Sequence, residues 1–132
     1  MAIVGFNFTK MTAEKTKAVT GKINISNNVS IKKVVESKFG LDSKKKALKF
    51  SFVYTSKYEP SIGLIELEGD TVYLFDETTA KKVLNDWKKT KKVPTDVMRN
   101  LMGHVLAKSN VQAVVLSRDI QLPPPIPMPK IK

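Results

Sequence analysis

The hydrophobic period of this chain changes once, near Asp76, and that change limits the architectures open to it. Before it, apolar residues recur at every second position. Leu48, Phe50, Phe52 and Tyr54 alternate without error, the spacing that lays one face of a β-strand on a core. Val4, Phe6 and Phe8 repeat the pattern, as do Val19, Ile23 and Ile25. After Asp76, Ala80, Val83, Leu84 and Trp87 fall at i, i+3, i+4 and i+7, the apolar stripe of a helix. Strands first and helices afterwards predict an α+β domain, an antiparallel sheet of about four to six strands packed by two helices from the C-terminal half.

Local signals mark the elements. Asn27-Asn28 reads as a turn between a strand over 19–25 and another over 29–35, and residues 40–46 read as a loop rich in lysine. Ile62 to Leu67 and Thr71 to Phe75 are extended pieces around Gly69-Asp70. They form either a tight hairpin or one long strand with a bulge at Gly69. Asp76 or Thr78 caps the first helix. Pro94 interrupts, and Thr95 caps a second helix whose inward face is Val97, Met98, Leu101, Met102, Val105 and Leu106, ending near Ser109-Asn110. Val111 to Leu116 reads as a short strand. Residues 1–121 thus make a single domain, followed over 122–132 by an extended segment whose prolines cannot donate to a ladder.

Few catalytic constellations fit these residues. Cysteine is absent and His104 is the single histidine, so thiolate chemistry is excluded and a structural zinc or haem site has no ligand set. No glycine-flanked serine accompanies His104, and no glycine-rich phosphate loop occurs. Glu66, Glu68 and Asp70 share one face of a regular strand. They could hold a hard cation or supply acid and base, but alternation with Ile65 and Leu67 places them on the solvent side of a sheet. No enzyme and no cofactor is expected.

Charge is the unusual quantity. Lysine and arginine total 23 against 12 acids, a net charge of +11, enough to attract nucleic acid, acidic protein or an anionic surface. The lysines gather in two knots. Lys44, Lys45 and Lys46 form one, and Lys81, Lys82, Lys88, Lys89 and Lys92 surround the polar side of the first helix. These are the candidate contacts to RNA or a ribosome, although no aromatic residues are interleaved for stacking. No apolar run is long enough for a spanning helix or a secretory signal core, so a cytoplasmic protein without membrane insertion is expected.

The order of segments carries a resemblance. IGLIELEGDTVYLF is followed by KKVLNDWKK, a proline, TDVMRNLMGHVLAK and VQAVVLSRDIQLPPPIPM. This layout, over most of residues 3–128, resembles the SecB export-chaperone family and its SecB-like relatives. The resemblance implies a non-enzymatic holdase that assembles into dimers or tetramers and binds unfolded or partly folded polypeptide in apolar grooves. SecB-type proteins are typically acidic. The docking to the export motor that their acidic surface serves is therefore not carried over to this basic chain. The expected polypeptide contacts are Phe50, Phe52, Tyr54 and Tyr73 on the sheet, with Leu122, Ile126 and Met128 from the tail.

Overall fold

A computed structural model describes residues 2–19, 21–37 and 45–126. The elements run β1 (Ala2–Lys15), β2 (Asn24–Ser37), β3 (Lys45–Glu59), β4 (Gly63–Asp76), α1 (Glu77–Thr90) and α2 (Thr95–Asp119). One four-stranded sheet has the order β1-β4-β3-β2, antiparallel throughout. β2, β3 and β4 form a meander, and β1 crosses to pair with β4, so β1 and β2 are the edges. The α+β expectation holds, with four strands.

Several boundaries differ from the sequence reading, each for a local reason. β1 and β2 are each 14 residues long because a bulge lets a strand survive a break in its alternation. On β1 the register slips between Phe8 and Lys10, so the face turned to the core passes from Phe6 and Phe8 to Ala13, with Met11 on the same side but 44% exposed. On β2 it slips between Ile31 and Lys33, passing the face from Val29 and Ile31 to Val34. Asn27-Asn28 is not a turn. It lies inside β2, paired with Ser56 and Thr55, and the strand expected over 19–25 is mostly the connection leading into it. Residues 62–75 are no hairpin either: β4 is continuous, and the bulge beside Gly69 belongs to β1.

Gly69 is required where it stands. A Cβ there would run into the Asn7 carbonyl and lie 2.9 Å from the Phe52 ring. The tight contact lets Phe6 stack on Phe52 with ring centroids 5.4 Å apart.

Both helices pack on the same face of the sheet. Asp76 caps α1, its side chain accepting from the Thr79 backbone N–H at 3.2 Å. Burial of Ala80 and Val83 fixes that helix. The second helix starts at Thr95 itself, with Pro94 at the cap and no side-chain cap bond, so Thr95 does not cap it. Val111 to Leu116 is not a strand, because α2 continues to Asp119. Val97, Leu101, Val105, Ser109, Ala113 and Ser117 are all buried. That is an unbroken i, i+4 row, and packing along such a ridge overrides the strand preference of three valines.

The strands are longer than α1. Fourteen residues of strand span about 46 Å, whereas fourteen of helix span about 21 Å. Two cores result. One, under α1 and the first half of α2, holds Phe50, Phe52, Tyr73 and Phe75 with Val83 and Leu101. The other holds Tyr54, Tyr58, Ile65 and Leu67 under Ala113 and Leu122. That second core is covered by the last turns of α2 and by the proline-rich tail.

Candidate functional site

The second core lies beneath the C-terminal half of α2 and the tail. The row of buried α2 residues shrinks from Val97, Leu101 and Val105 to Ser109, Ala113 and Ser117. The small side chains bring the helix close to the large tyrosines beneath it. Helix α2 then ends in a reversal. Gln121 takes a left-handed conformation at φ 58. Its N–H donates to Arg118 O at 3.2 Å, and the Leu122 N–H donates to Ser117 O at 2.8 Å. This pair of bonds is the Schellman arrangement, with glutamine in place of the usual glycine. It turns residues 122–126 back across the sheet.

Tail and sheet are joined by side-chain donors. The Tyr58 hydroxyl donates to Pro123 O at 2.6 Å, and Asn27 Nδ2 donates to Pro125 O at 2.9 Å. Behind them Ser56 Oγ donates to Asn27 Oδ1. The Tyr54 hydroxyl lies 3.2 Å from Ser56 Oγ and reaches Asn110 Oδ1 at 3.4 Å. Burial, and then the neighbouring Tyr54, push the Tyr58 phenol up to about 12, and burial raises Tyr54 as well. Both hydroxyls keep their protons and remain donors at neutral pH.

Along the outer side of the α2 C-terminal half runs an apolar trough of about 310 Å³. Asn110, Val111, Val114, Val115 and Ile126 line it. Val111 is 67% exposed and Val115 36%, high for valines on a helix without a partner.

The expected polypeptide contacts divide sharply. Phe50, Phe52, Tyr54 and Tyr73 are at most 1% exposed. They fill the interior beneath the helices and the tail, so in this arrangement they offer a client no surface. Leu122 is buried at 5% exposure and packs in the second core. Ile126 is half-buried and lines the trough. Met128 lies outside the described residues. Tyr58 and Asn27 are not among the expected contacts, and Val111 to Val115 are expected as part of a strand apolar on both faces, not as the wall of a trough on a helix. Tyr58 was legible as the continuation of the β3 alternation, whereas the valines were hidden by their resemblance to a strand.

The lysines are dispersed. Lys45 stands opposite Asp76 in the β3–β4 ladder, beside the start of α1, and Lys46 makes an ion pair with Glu36 at 3.4 Å. Lys81 pairs with Glu77 at 3.6 Å. Lys82, Lys88, Lys89 and Lys92 are exposed, the last three around the far end of α1. Lys45 and Lys46 thus lie near the start of α1 and Lys88, Lys89 and Lys92 near its end, with Lys81 and Lys82 between them. Lys44 lies outside the described residues.

Glu66, Glu68 and Asp70 do sit on the sheet face turned away from the helices, and Ser51 Oγ donates to Asp70 Oδ1 at 2.7 Å. Among the described residues no group of three or more His, Asp or Glu side chains is placed to hold a metal ion. His104 stands edge-on to Phe6 and Tyr73, centroids 5.2 and 6.2 Å away. Burial first, then Lys108, holds its imidazole below the ordinary range. No helix among the described residues is long and apolar enough to cross a membrane.

No protein-family model matches this chain, and no curated protein matches it by sequence. Its fold does have a solved counterpart. A SecB-like chaperone of Mycobacterium tuberculosis, solved in complex with a ChAD peptide from an antitoxin, superposes with a TM-score of 0.56 at 11% identity. The match covers 98% of this chain and 89% of that one. The fold is SecB-like. At that identity the likeness establishes architecture, shared over nearly the whole length.

Proposed function

We propose that this protein is a non-enzymatic chaperone that holds unfolded or partly folded polypeptide. The observation that carries the reading is the apolar trough of Val111, Val114, Val115 and Ile126, set on a fold shared with a chaperone solved with a peptide bound. Desolvation of apolar client side chains supplies the attraction. The excess of lysine draws in acidic stretches and speeds encounter. Grip falls on the rim of the second core, where side chains are exposed, and not on the buried aromatic residues of the sheet. Assembly into dimers or tetramers, and residence in the cytoplasm, complete the reading.

An RNA- or ribosome-binding function gains no support from the lysines. Exposed cations supply sequence-independent attraction for phosphate, which any excess of lysine provides, and no further feature of the site favours such a ligand.

The test is suppression of aggregation of a chemically unfolded client by nuclease-treated protein in moderate salt, read by light scattering. Sub-stoichiometric to stoichiometric protein is expected to keep the client dispersed. A client that aggregates at the same rate with and without the protein refutes the holding function. Nucleic acid that co-purifies, is lost steeply with salt, and whose removal leaves no client-holding activity would move the assignment to RNA.

A further inference from the structure

The tail occupies its groove in the manner of a bound ligand. Leu122 and Pro125 are buried, Pro124 is exposed, and Pro123 and Ile126 are intermediate. The two buried anchors stand three residues apart. Leu122 is bonded into the helix cap, Pro123 to Pro125 have the fixed φ of extended polyproline II chain, and the chain bends at Pro125 and Ile126. The sheet touches the tail backbone through acceptors alone: Tyr58 donates to the carbonyl of Pro123 and Asn27 to that of Pro125. No N–H is asked of residues 123–125, and as prolines they have none to give.

The groove keeps its shape without the tail. The bonds that link Ser56 to Asn27, and Tyr54 to Asn110, lie wholly within the body of the protein. When residues 122–126 lift, the Tyr58 hydroxyl and Asn27 Nδ2 lose their partners, and so does Ser117 O at the end of α2, which accepts from the Leu122 N–H; water can replace all three. A preformed polar wall with apolar floor residues such as Ile65 and Leu67 would then be open.

We infer that the groove beneath residues 122–126 is a binding site for extended, polyproline-II-type polypeptide with apolar residues at i and i+3, and that the tail is its resident ligand, displaced by a client segment of the same kind. The inference rests on the holding function proposed above and specifies which client segments this site takes. Prolines are accepted at both positions the donors read, Pro123 and Pro125. Because the tail is tethered, it competes at an effective concentration of roughly millimolar order. A client therefore sees the groove at an affinity reduced by the small fraction of time it stands open.

The probe is a fluorescein-labelled peptide with the sequence of residues 120–126, Ile-Gln-Leu-Pro-Pro-Pro-Ile, titrated into the full chain and followed by anisotropy. Two variants loosen the resident copy. Leu122→Ala with Pro125→Ala trims both anchors, and Pro124→Gly frees the backbone at an exposed position without touching the core. Trimming is expected to tighten peptide binding by about tenfold or more, and Pro124→Gly by about threefold. Adding Tyr58→Phe to the trimmed chain, where the resident copy no longer competes, is expected to take back about fivefold. If the trimmed chain does not fold, the Pro124→Gly comparison still decides.

Equal affinity of wild type and Pro124→Gly for the peptide overturns the inference. So does a Pro124→Gly chain that doubles its mass by exchanging tails, since the occupant would then be a second copy. The aggregation assay run in parallel separates the two levels. Suppression of aggregation with no gain in peptide affinity removes this ligand assignment and leaves the holding function standing. A gain in peptide affinity with no suppression by any chain keeps the ligand and removes the chaperone.

Discussion

The Tyr58 hydroxyl and the carbonyl of Pro123 meet at 2.6 Å across 65 residues of chain. This bond ties the C-terminal tail to the central strand β3, beside a second one from Asn27 to Pro125 O. A hydrogen bond in such a setting contributes about 1 kcal/mol net. Tyr58→Phe keeps the ring in the second core and removes only the donor. Urea unfolding should show the variant about 1 kcal/mol less stable with an unchanged m-value, because the surface exposed on unfolding is the same.

The same phenol gives the fold an alkaline limit. Its folded pKa is raised to about 12 from the ordinary 10.0, first by burial and then by Tyr54. A group raised in this sense contributes stability that is fully present below pH 10 and is lost as pH rises toward 12. Burial raises Tyr54 and Tyr73 in the same direction. Stability measured between pH 9 and about 12 should therefore decline, and the decline should be shallower in Tyr58→Phe than in wild type. Identical slopes would show that Tyr58 ionises as freely folded as unfolded.

Gln121 is the left-handed residue that ends α2, at φ 58. A β-carbon in that conformation costs about 1 kcal/mol relative to glycine, which is why glycine dominates this cap position. Gln121 is exposed, so nothing is lost from the core by shortening it. Gln121→Gly should raise stability by about 0.5–1 kcal/mol, observed as a melting temperature a few degrees higher.

Gly69 behaves in the opposite way. Its missing side chain is demanded by packing, since the Asn7 carbonyl and the Phe52 ring occupy the space a Cβ would need. The carbonyl belongs to the partner strand β1 and cannot swing aside. Gly69→Ala should destabilise by about 3 kcal/mol, and should loosen the edge strand β1 first, visible as faster amide exchange there.

These residues show what the sequence exposed and what it hid. Leu48 to Tyr54 announced β3 because the central strand has no bulge and its two faces differ sharply. β1 and β2 were read as fragments because each bulge reverses the parity of the inward face, so Met11 and Ala13 look out of step with Phe6 and Phe8. Val111 to Leu116 is six residues with three valines, and a window that short does not separate a strand from a helical turn. What decides it is the row Ser109, Ala113, Ser117. Small polar residues carry no hydrophobic signal, although the tyrosines they pack against do. The candidate site was half legible for the same reason: Leu122 and Ile126 stand out as apolar residues among prolines, but the donors that hold their backbone, Tyr58 and Asn27, lie in distant strands.

The trough gives the last prediction. Val111 and Val115 are exposed on α2, to 67% and 36%, so converting both to serine removes apolar surface mainly from the outside. Helix propensities of valine and serine are close, and exposed substitutions of this kind change stability by about 0.5 kcal/mol or less. Val111→Ser with Val115→Ser should therefore melt like wild type while its ability to keep an unfolded client dispersed falls several-fold. Leu106→Ser is the control, since Leu106 is exposed to the same 36% as Val115 but lies outside the trough. Equal losses from both changes would point to general surface hydrophobicity. A loss confined to the valine pair would assign the grip to the trough, because the two variants differ in where they remove apolar surface.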